Sequence, residues 1–151
     1  MDEIDRNILA LLQRDGRISV TDLASQVGLS VSACSRRLHD LQRRGVILGY
    51  RAVVDPAALG LGFEALASIT MGQEDADTIS RFEQGLAEVA EVRHAERLFG
   101  DPDYLVRVAA RDIEHYQLLR DRSLATLPGV QRITSTIVMR RVVDHRPLTV
   151  W

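Results

Sequence analysis

Lysine is missing altogether from this 151-residue chain, in which all nineteen basic residues are arginine. Such uniformity can follow from genomic base composition, so no mechanism attaches to it. A single cysteine, Cys34, excludes an internal disulfide and makes a reducing cytoplasm the simplest setting. No apolar run approaches the ~20 residues needed to cross a bilayer, which excludes a membrane-spanning helix. The opening MDEIDRN is acidic and helix-like, with no basic start before an apolar stretch, so no secretory signal is expected. The usual enzyme signatures are absent too: no phosphate-cradling GxxxxGK, no GxSxG elbow, no HExxH and no paired-cysteine metal spacing. No catalytic residue, metal or cofactor is expected. What is present, 46% hydrophobic and 26% charged residues, is ordinary for one compact domain or two small ones.

Charge becomes informative when the chain is divided. Residues 1–51 carry eight Arg against six acids, whereas residues 52–151 carry eleven Arg against fifteen, so the halves differ in sign although the whole is −2. Residues 30–51 alone hold five Arg and one Asp. A cationic patch on a mildly acidic body points to a polyanionic partner.

Three short helices are legible in the first third. The first runs from Asp2 as cap through Ile4, Ile8, Leu11 and Leu12 to Asp15 and Gly16. The second is capped by Ser19, with Asp22 as a capping-box-like partner, and ends at Gly28. The third is capped by Ser30, carries Val31, Cys34, Leu38 and Leu41 on one stripe, and stops at Gly45. Between the last two lies a tight corner, Gly28-Leu29-Ser30, where glycine supplies a left-handed backbone and serine caps the next helix. This is helix-turn-helix grammar. Cys34, in the apolar stripe, reads as a buried structural thiol.

At 100° per residue the third helix turns Ser32, Arg36, His39 and Arg43 away from its buried stripe, with Ser35, Arg37, Asp40 and Arg44 flanking. Taken alone, the arginines would read as a solvated face. Together with the capped corner, the small Ala24 and Gly28 where helices must approach, and charge confined to one helix, they point to duplex DNA. Arginine forks onto guanine O6 and N7, serine donates or accepts, and further arginines neutralise phosphates. The candidate DNA-binding set is Ser30, Ser32, Ser35, Arg36, Arg37, His39, Arg43 and Arg44, with Arg43 and Arg44 on phosphate.

After Gly45 the segment VILGYRAVVDP favours extended chain and reads as a strand-like hinge. Beyond it the order is βαββαβ: strands near 63–71, 92–99, 103–110 and 131–139, helices near 76–87 and 112–126, with RRVVDHRPLTVW as a last strand with an irregular end. A faint repeat supports two halves, since LAEVAEV at 86–92 aligns with LATLPGV at 124–130. Right-handed crossovers fold such halves into a four-stranded antiparallel sheet with both helices on one side. The fold class is therefore α+β: a helix-turn-helix domain, winged-helix-like, over 1–49, a hinge over 50–61 and a ferredoxin-like domain over 62–151. The uncovered sheet face is expected to expose Ile69, Met71, Ile133 and Val138 and to be covered by a second subunit. A homodimer would also place two recognition helices on half-sites ~34 Å apart.

The segments IDRNILALLQRDGRIS, DLASQVGLSVSACSRRLHDLQRRGVILGY, VVDPAALG, FGDPDYLVRV and LPGVQRITSTIV together strongly resemble the Lrp/AsnC family of leucine-responsive, "feast/famine" transcription regulators. The resemblance covers nearly the whole chain. It implies DNA binding by the first domain, dimers that often assemble into octamers, and a small effector, usually an amino acid, held between subunits around the loop Gly100, Asp101, Pro102, Asp103, Tyr104. Asp101 or Asp103 would take the ammonium, Gly100 would let the backbone approach, Tyr104 would wall the side chain, and Thr134, Ser135 and Thr136 would offer hydroxyls to a neighbouring pocket. Without the resemblance this loop would read as a plain hairpin turn.

Two other readings use the same architecture. A siroheme-decarboxylase-like enzyme would need histidine and arginine converging in the pocket, with His94, His115 and Arg97 as candidates. A stand-alone amino-acid-sensing module without DNA would leave the arginine-rich third helix, like the decarboxylase reading, without a purpose.

Overall fold

The computed structural model describes residues 1–144 and 146–150. The chain forms two compact units: Met1–Val53, joined by the tail from Val142, and Val54–Arg141.

The first unit is built by its caps. Helix α1 (Glu3–Arg14) starts in a capping box, with the Asp2 carboxylate accepting from the Asp5 N–H at 2.9 Å and Asp5 accepting from the Asp2 N–H at 3.4 Å. Helix α2 (Val20–Val27) is capped by Ser19, and Gly28 ends it at φ 70°, a left-handed conformation that costs glycine little. Helix α3 (Val31–Arg43) starts on Ser30, whose hydroxyl accepts from the Ala33 N–H. Ile8, Leu23, Ala24, Cys34 and Leu41 form the buried centre, and burial pushes the Cys34 thiol up from its ordinary pKa. Cys34 is thus an inert core side chain.

The hinge departs from expectation. Residues 46–53 pair with no strand among the described residues, so the helix-turn-helix carries no wing in this chain. The β-branched residues there favour extended backbone, but extended backbone becomes sheet only against a partner ladder. Instead Ile47 packs beneath the helices, and the N–H groups of Val46 and Ile47 cap the Leu41 carbonyl. The described part of the tail forms no strand, against the expectation of a last strand there. It returns to α1, where the Gln13 amide donates to the Leu148 carbonyl at 3.2 Å and accepts the Leu148 N–H at 2.7 Å.

In the second unit, β1 (Phe63–Met71), α4 (Ala76–Ala87), β2 (Val92–Arg97), β3 (Tyr104–Ala110), α5 (Ile113–Leu119) and β4 (Val130–Ile137) follow the expected βαββαβ order, with a π-helical turn Arg120–Leu124 extending α5. The strands form one antiparallel sheet in the order β2-β3-β1-β4. Strand β1 alternates cleanly: Ala65, Ala67, Ile69 and Met71 are buried with Phe82 of α4 and Tyr116 of α5.

That alternation corrects the expectation for the uncovered face. Ile69 and Met71 lie on the helix side, and Ile133, paired with Ile69, packs against the same core. Val138 lies past the end of β4, half-buried, with its N–H on the Glu64 carbonyl. Period-two geometry sends the alternate set to the other face: Glu64, Leu66, Ser68 and Thr70 of β1 with Leu105 and Arg107 of β3 and Thr134 and Thr136 of β4. Glu64 is bonded there by both Arg107 and Arg141; burial works to raise its pKa, but the two guanidinium bonds outweigh it and hold the carboxyl below the ordinary value. The face is mixed, with Leu66 and Leu105 among charges and hydroxyls.

Candidate functional site

Helix α3 is anchored by Cys34 and Leu41, both buried, and this fixes what its other side shows. Ser32, Ser35, Arg36, His39, Arg43 and Arg44 are all exposed. Among the described residues Arg36 has neither hydrogen bond nor ion pair, so its guanidinium is free to meet an incoming group. Arg43 and Arg44 both lean on Asp40, at 2.5 and 3.4 Å, and these bonds, Arg43 first, hold the Asp40 carboxyl below its ordinary pKa. Pairs of this kind stand in water and exchange readily for a phosphate. Ser30 is exposed but its hydroxyl serves as the N-cap, 3.3 Å from the Ser32 hydroxyl.

Arg37 departs from the rest of the set. Its guanidinium donates to Asp2 at 2.7 Å and to Asp5 at 2.8 Å, so it binds α3 to the capping box of α1. It flanks the exposed stripe at a position from which a long side chain reaches the neighbouring helix. The two pairs hold α3 against the start of α1. Val31 departs in the other direction, being 47% exposed at the first turn of α3, where sequence periodicity puts it on the buried stripe. A branched apolar group there suits a thymine methyl.

The Asp5 N–H, then Arg37, hold the Asp2 carboxyl below its ordinary value of 3.8. A depressed carboxyl contributes stability above its unfolded pKa and loses it as pH falls through the folded one. The α1–α3 clamp is therefore expected to hold at neutral pH and to open only under acid below the ordinary aspartate range. A carboxyl-carbon NMR titration should show Asp2 titrating below 3.8, and moving back toward it in Arg37→Met.

The hairpin between β2 and β3 closes through the Leu98 N–H on the Asp103 carbonyl at 2.7 Å, and both strands end slightly short of their expected spans. Gly100 sits at φ 150°, a conformation other residues avoid. Asp103 is spent on the fold: its carboxylate accepts the Met71 N–H at 2.7 Å and its own N–H donates to Ile69. Asp101 is 81% exposed and only 4.0 Å from Arg132, so it is the carboxylate left open to a ligand. Tyr104 is buried on the helix side, its ring 4.6 Å from Phe82 and its hydroxyl donating to Glu83 at 2.8 Å. The three hydroxyls of β4 diverge: Ser135 accepts from Tyr116 in the helix layer, while Thr134 and Thr136 face the other side. Within one chain these seven residues do not form one pocket.

The comparisons with known proteins match this geometry. Residues 1–42 match the AsnC-type helix-turn-helix domain and residues 64–148 the Lrp/AsnC ligand binding domain. The leucine-responsive regulatory protein of Escherichia coli K12 is 35% identical over 150 residues, covering 99% of this chain and 92% of that protein. The chain belongs to the Lrp/AsnC family. Among solved structures, a Neisseria meningitidis transcriptional regulator in complex with L-Met is similar at TM-score 0.93 and 28% identity, covering 99% of this chain and 96% of that one. An AsnC family transcriptional regulator from Agrobacterium tumefaciens matches at TM-score 0.92 and 33% identity, with 99% and 97% covered. This Lrp/AsnC member is a DNA-binding transcription regulator with a four-stranded α+β second unit.

The residues an enzymatic reading would require do not converge in this family member. His94 lies on the uncovered face, 3.1 Å from Glu96, and Arg97 lies on the helix face of the same strand. His115, on α5, accepts the Arg111 N–H at Nδ1 and directs Nε2 toward Glu91 at 3.5 Å. Sequence reasoning passed over Glu83, the acid that meets both Tyr104 and Arg97. These three come from separate elements, and only the inward arginine of β2 hinted at the grouping. Among the described residues no helix is long and apolar enough to cross a membrane.

Proposed function

We propose that this regulator is a cytoplasmic homo-oligomer that reads duplex DNA with Ser32, Ser35, Arg36 and His39 of α3, holds phosphate with Arg43 and Arg44, and answers to an amino acid bound between subunits at the Gly100–Tyr104 hairpin. The observation that carries the DNA reading is the unpartnered Arg36 on a helix whose opposite side is locked into the core. The L-Met in the Neisseria regulator's structure supports an amino-acid effector. Oligomerisation is supported by a sheet face without helical cover and by Phe99, fully exposed at the hairpin. One recognition helix makes few contacts, and a two-fold axis doubles them at half-sites ~34 Å apart.

Regulation then follows from linkage. The effector changes DNA occupancy only by favouring one assembly or one spacing of recognition helices, and a coupling of about 1–3 kcal/mol makes a switch. The phosphate part of the proposal is tested by salt. In Arg44→Ala, the slope of log affinity against log salt should fall by about 0.9 per recognition helix. An unchanged slope removes Arg44 from the phosphate contacts.

A further inference from the structure

Helices α4 and α5 cover the sheet unevenly. Strand β2 lies at one edge, and its helix-facing positions carry the small Ala95 and the charged Arg97 opposite Val106 and Tyr104 of β3. Too little side chain stands there to fill the space beneath α4, and a cavity of about 230 Å³ remains. Leu86 and Ala87 of α4 face Val92 and Ala95 of β2 across its apolar end. Glu83, Arg97 and Tyr104 stand at the other.

The polar end holds one anion and one cation that barely touch. Arg97 is 4.0 Å from Glu83, at the limit of an ion pair, and both side chains are about half exposed. The Tyr104 hydroxyl donates to Glu83 at 2.8 Å and fixes that carboxylate. Burial first, and then Glu83, push the Tyr104 pKa up to about 12, so the phenol remains a donor at neutral pH. An acid alone would satisfy Arg97 and oppose Glu83, and an amine alone would do the reverse. A zwitterion satisfies both, since its ammonium replaces Arg97 at Glu83 and its carboxylate replaces Glu83 at Arg97. At about 230 Å³ the space falls below the ~300–1,000 Å³ of sites for drug-sized ligands, which suits an amino acid and excludes a nucleotide.

We infer that the cavity between α4 and β2 is a binding site for a free aliphatic amino acid, lying within one chain on the helix side of the sheet, with Glu83 on the ammonium, Arg97 on the carboxylate and Leu86, Val92 and Ala95 around the side chain. The site shares Tyr104 with the hairpin but takes its two charges from Glu83 and Arg97, and it leaves the intersubunit effector reading in place.

The test is isothermal titration of the full-length protein with L-leucine, L-methionine and L-valine, alongside 4-methylpentanoate and isopentylamine, which keep the leucine side chain but lack one charge each. At least one of the amino acids should bind, and both single-charge analogues should bind at least tenfold more weakly. Arg97→Ala and Glu83→Gln should each weaken the amino acid at this site at least tenfold, removing one binding event per chain from the titration, and Ala95→Leu, which fills the apolar end without touching a charge, should do the same. All three positions are solvent-accessible, and a thermal melt alongside each confirms folding. Equal affinity for amino acid and analogues, or a titration whose affinities and number of sites per chain are unchanged in both Arg97→Ala and Ala95→Leu, overturns the site. Binding lost in Asp101→Ala but intact in those two variants also overturns it, and leaves the hairpin as the sole effector position. No binding of any of the three amino acids at millimolar concentration overturns it as well.

Discussion

Arg36→Ala should lower affinity for the operator by about 5- to 150-fold, the loss of a bidentate base contact worth ~1–3 kcal/mol, while affinity for random duplex falls far less. The asymmetry follows from where the guanidinium stands. Arg36 lies in the middle of the outward stripe of α3, with no intramolecular partner among the described residues and none to be sacrificed on binding. Arg43 and Arg44 must first release Asp40, and Arg37 would have to abandon the α1 capping box. A base contact is lost only on sequences that offer the base, whereas a phosphate contact is lost on all of them. Competition binding against operator and random duplex, at one fixed salt concentration, separates the two. Equal losses on both would place Arg36 on the backbone.

Phe82→Ala is the change expected to cost most in folding, about 3–5 kcal/mol. Phe82 is fully buried between α4 and the sheet, in tilted contact with Tyr104, and the hydroxyl of that tyrosine is fixed by Glu83 one residue further along the same helix. Truncation would remove the ring, leave a cavity in the tightly packed centre of the second unit and free the Tyr104 ring to shift. Urea unfolding followed by tyrosine fluorescence should show the midpoint falling with little change in slope. A loss below ~1 kcal/mol would mean that the layer between α4 and β1 closes over the gap. Arg36→Ala, on the exposed side of α3, should leave the same curve almost unmoved.

The first unit was legible in the sequence because its signals are local. Asp2, Ser19, Ser30, Gly28 and Gly45 cap or end helices by chemistry confined to one turn, and the structure places all three helices where those residues put them. The βαββαβ order was legible for a related reason: Val92 and Val130, the matching ends of the internal repeat, open β2 and β4. What sequence could not supply was partnership. Residues 46–54 have the composition of a strand but no ladder to join. The apolar residues of β1 could not be assigned to a face until the register with β3 and β4 showed Ile69 opposite Tyr104 and Ile133 on the helix side. The same limit applied to the site. Periodicity set Arg36 outward correctly, yet whether Arg37 faced solvent or α1 depended on Asp2 and Asp5, more than thirty residues away in sequence. Asp103, which the hairpin loop offers as a ligand group, is drawn off by the Met71 N–H at the end of another strand. A side chain's chemistry can be read from its letter, but its availability depends on what it already holds.

DNA reading and sensing are tested together by selection of random-sequence duplexes with the full-length protein, run with and without a panel of free amino acids. A two-fold-related pair of half-sites about one helical turn apart should be enriched, with at least one amino acid shifting the occupancy or the spacing of the selected sites. Retention of all sequences alike, or of none even at low ionic strength, would contradict the DNA reading.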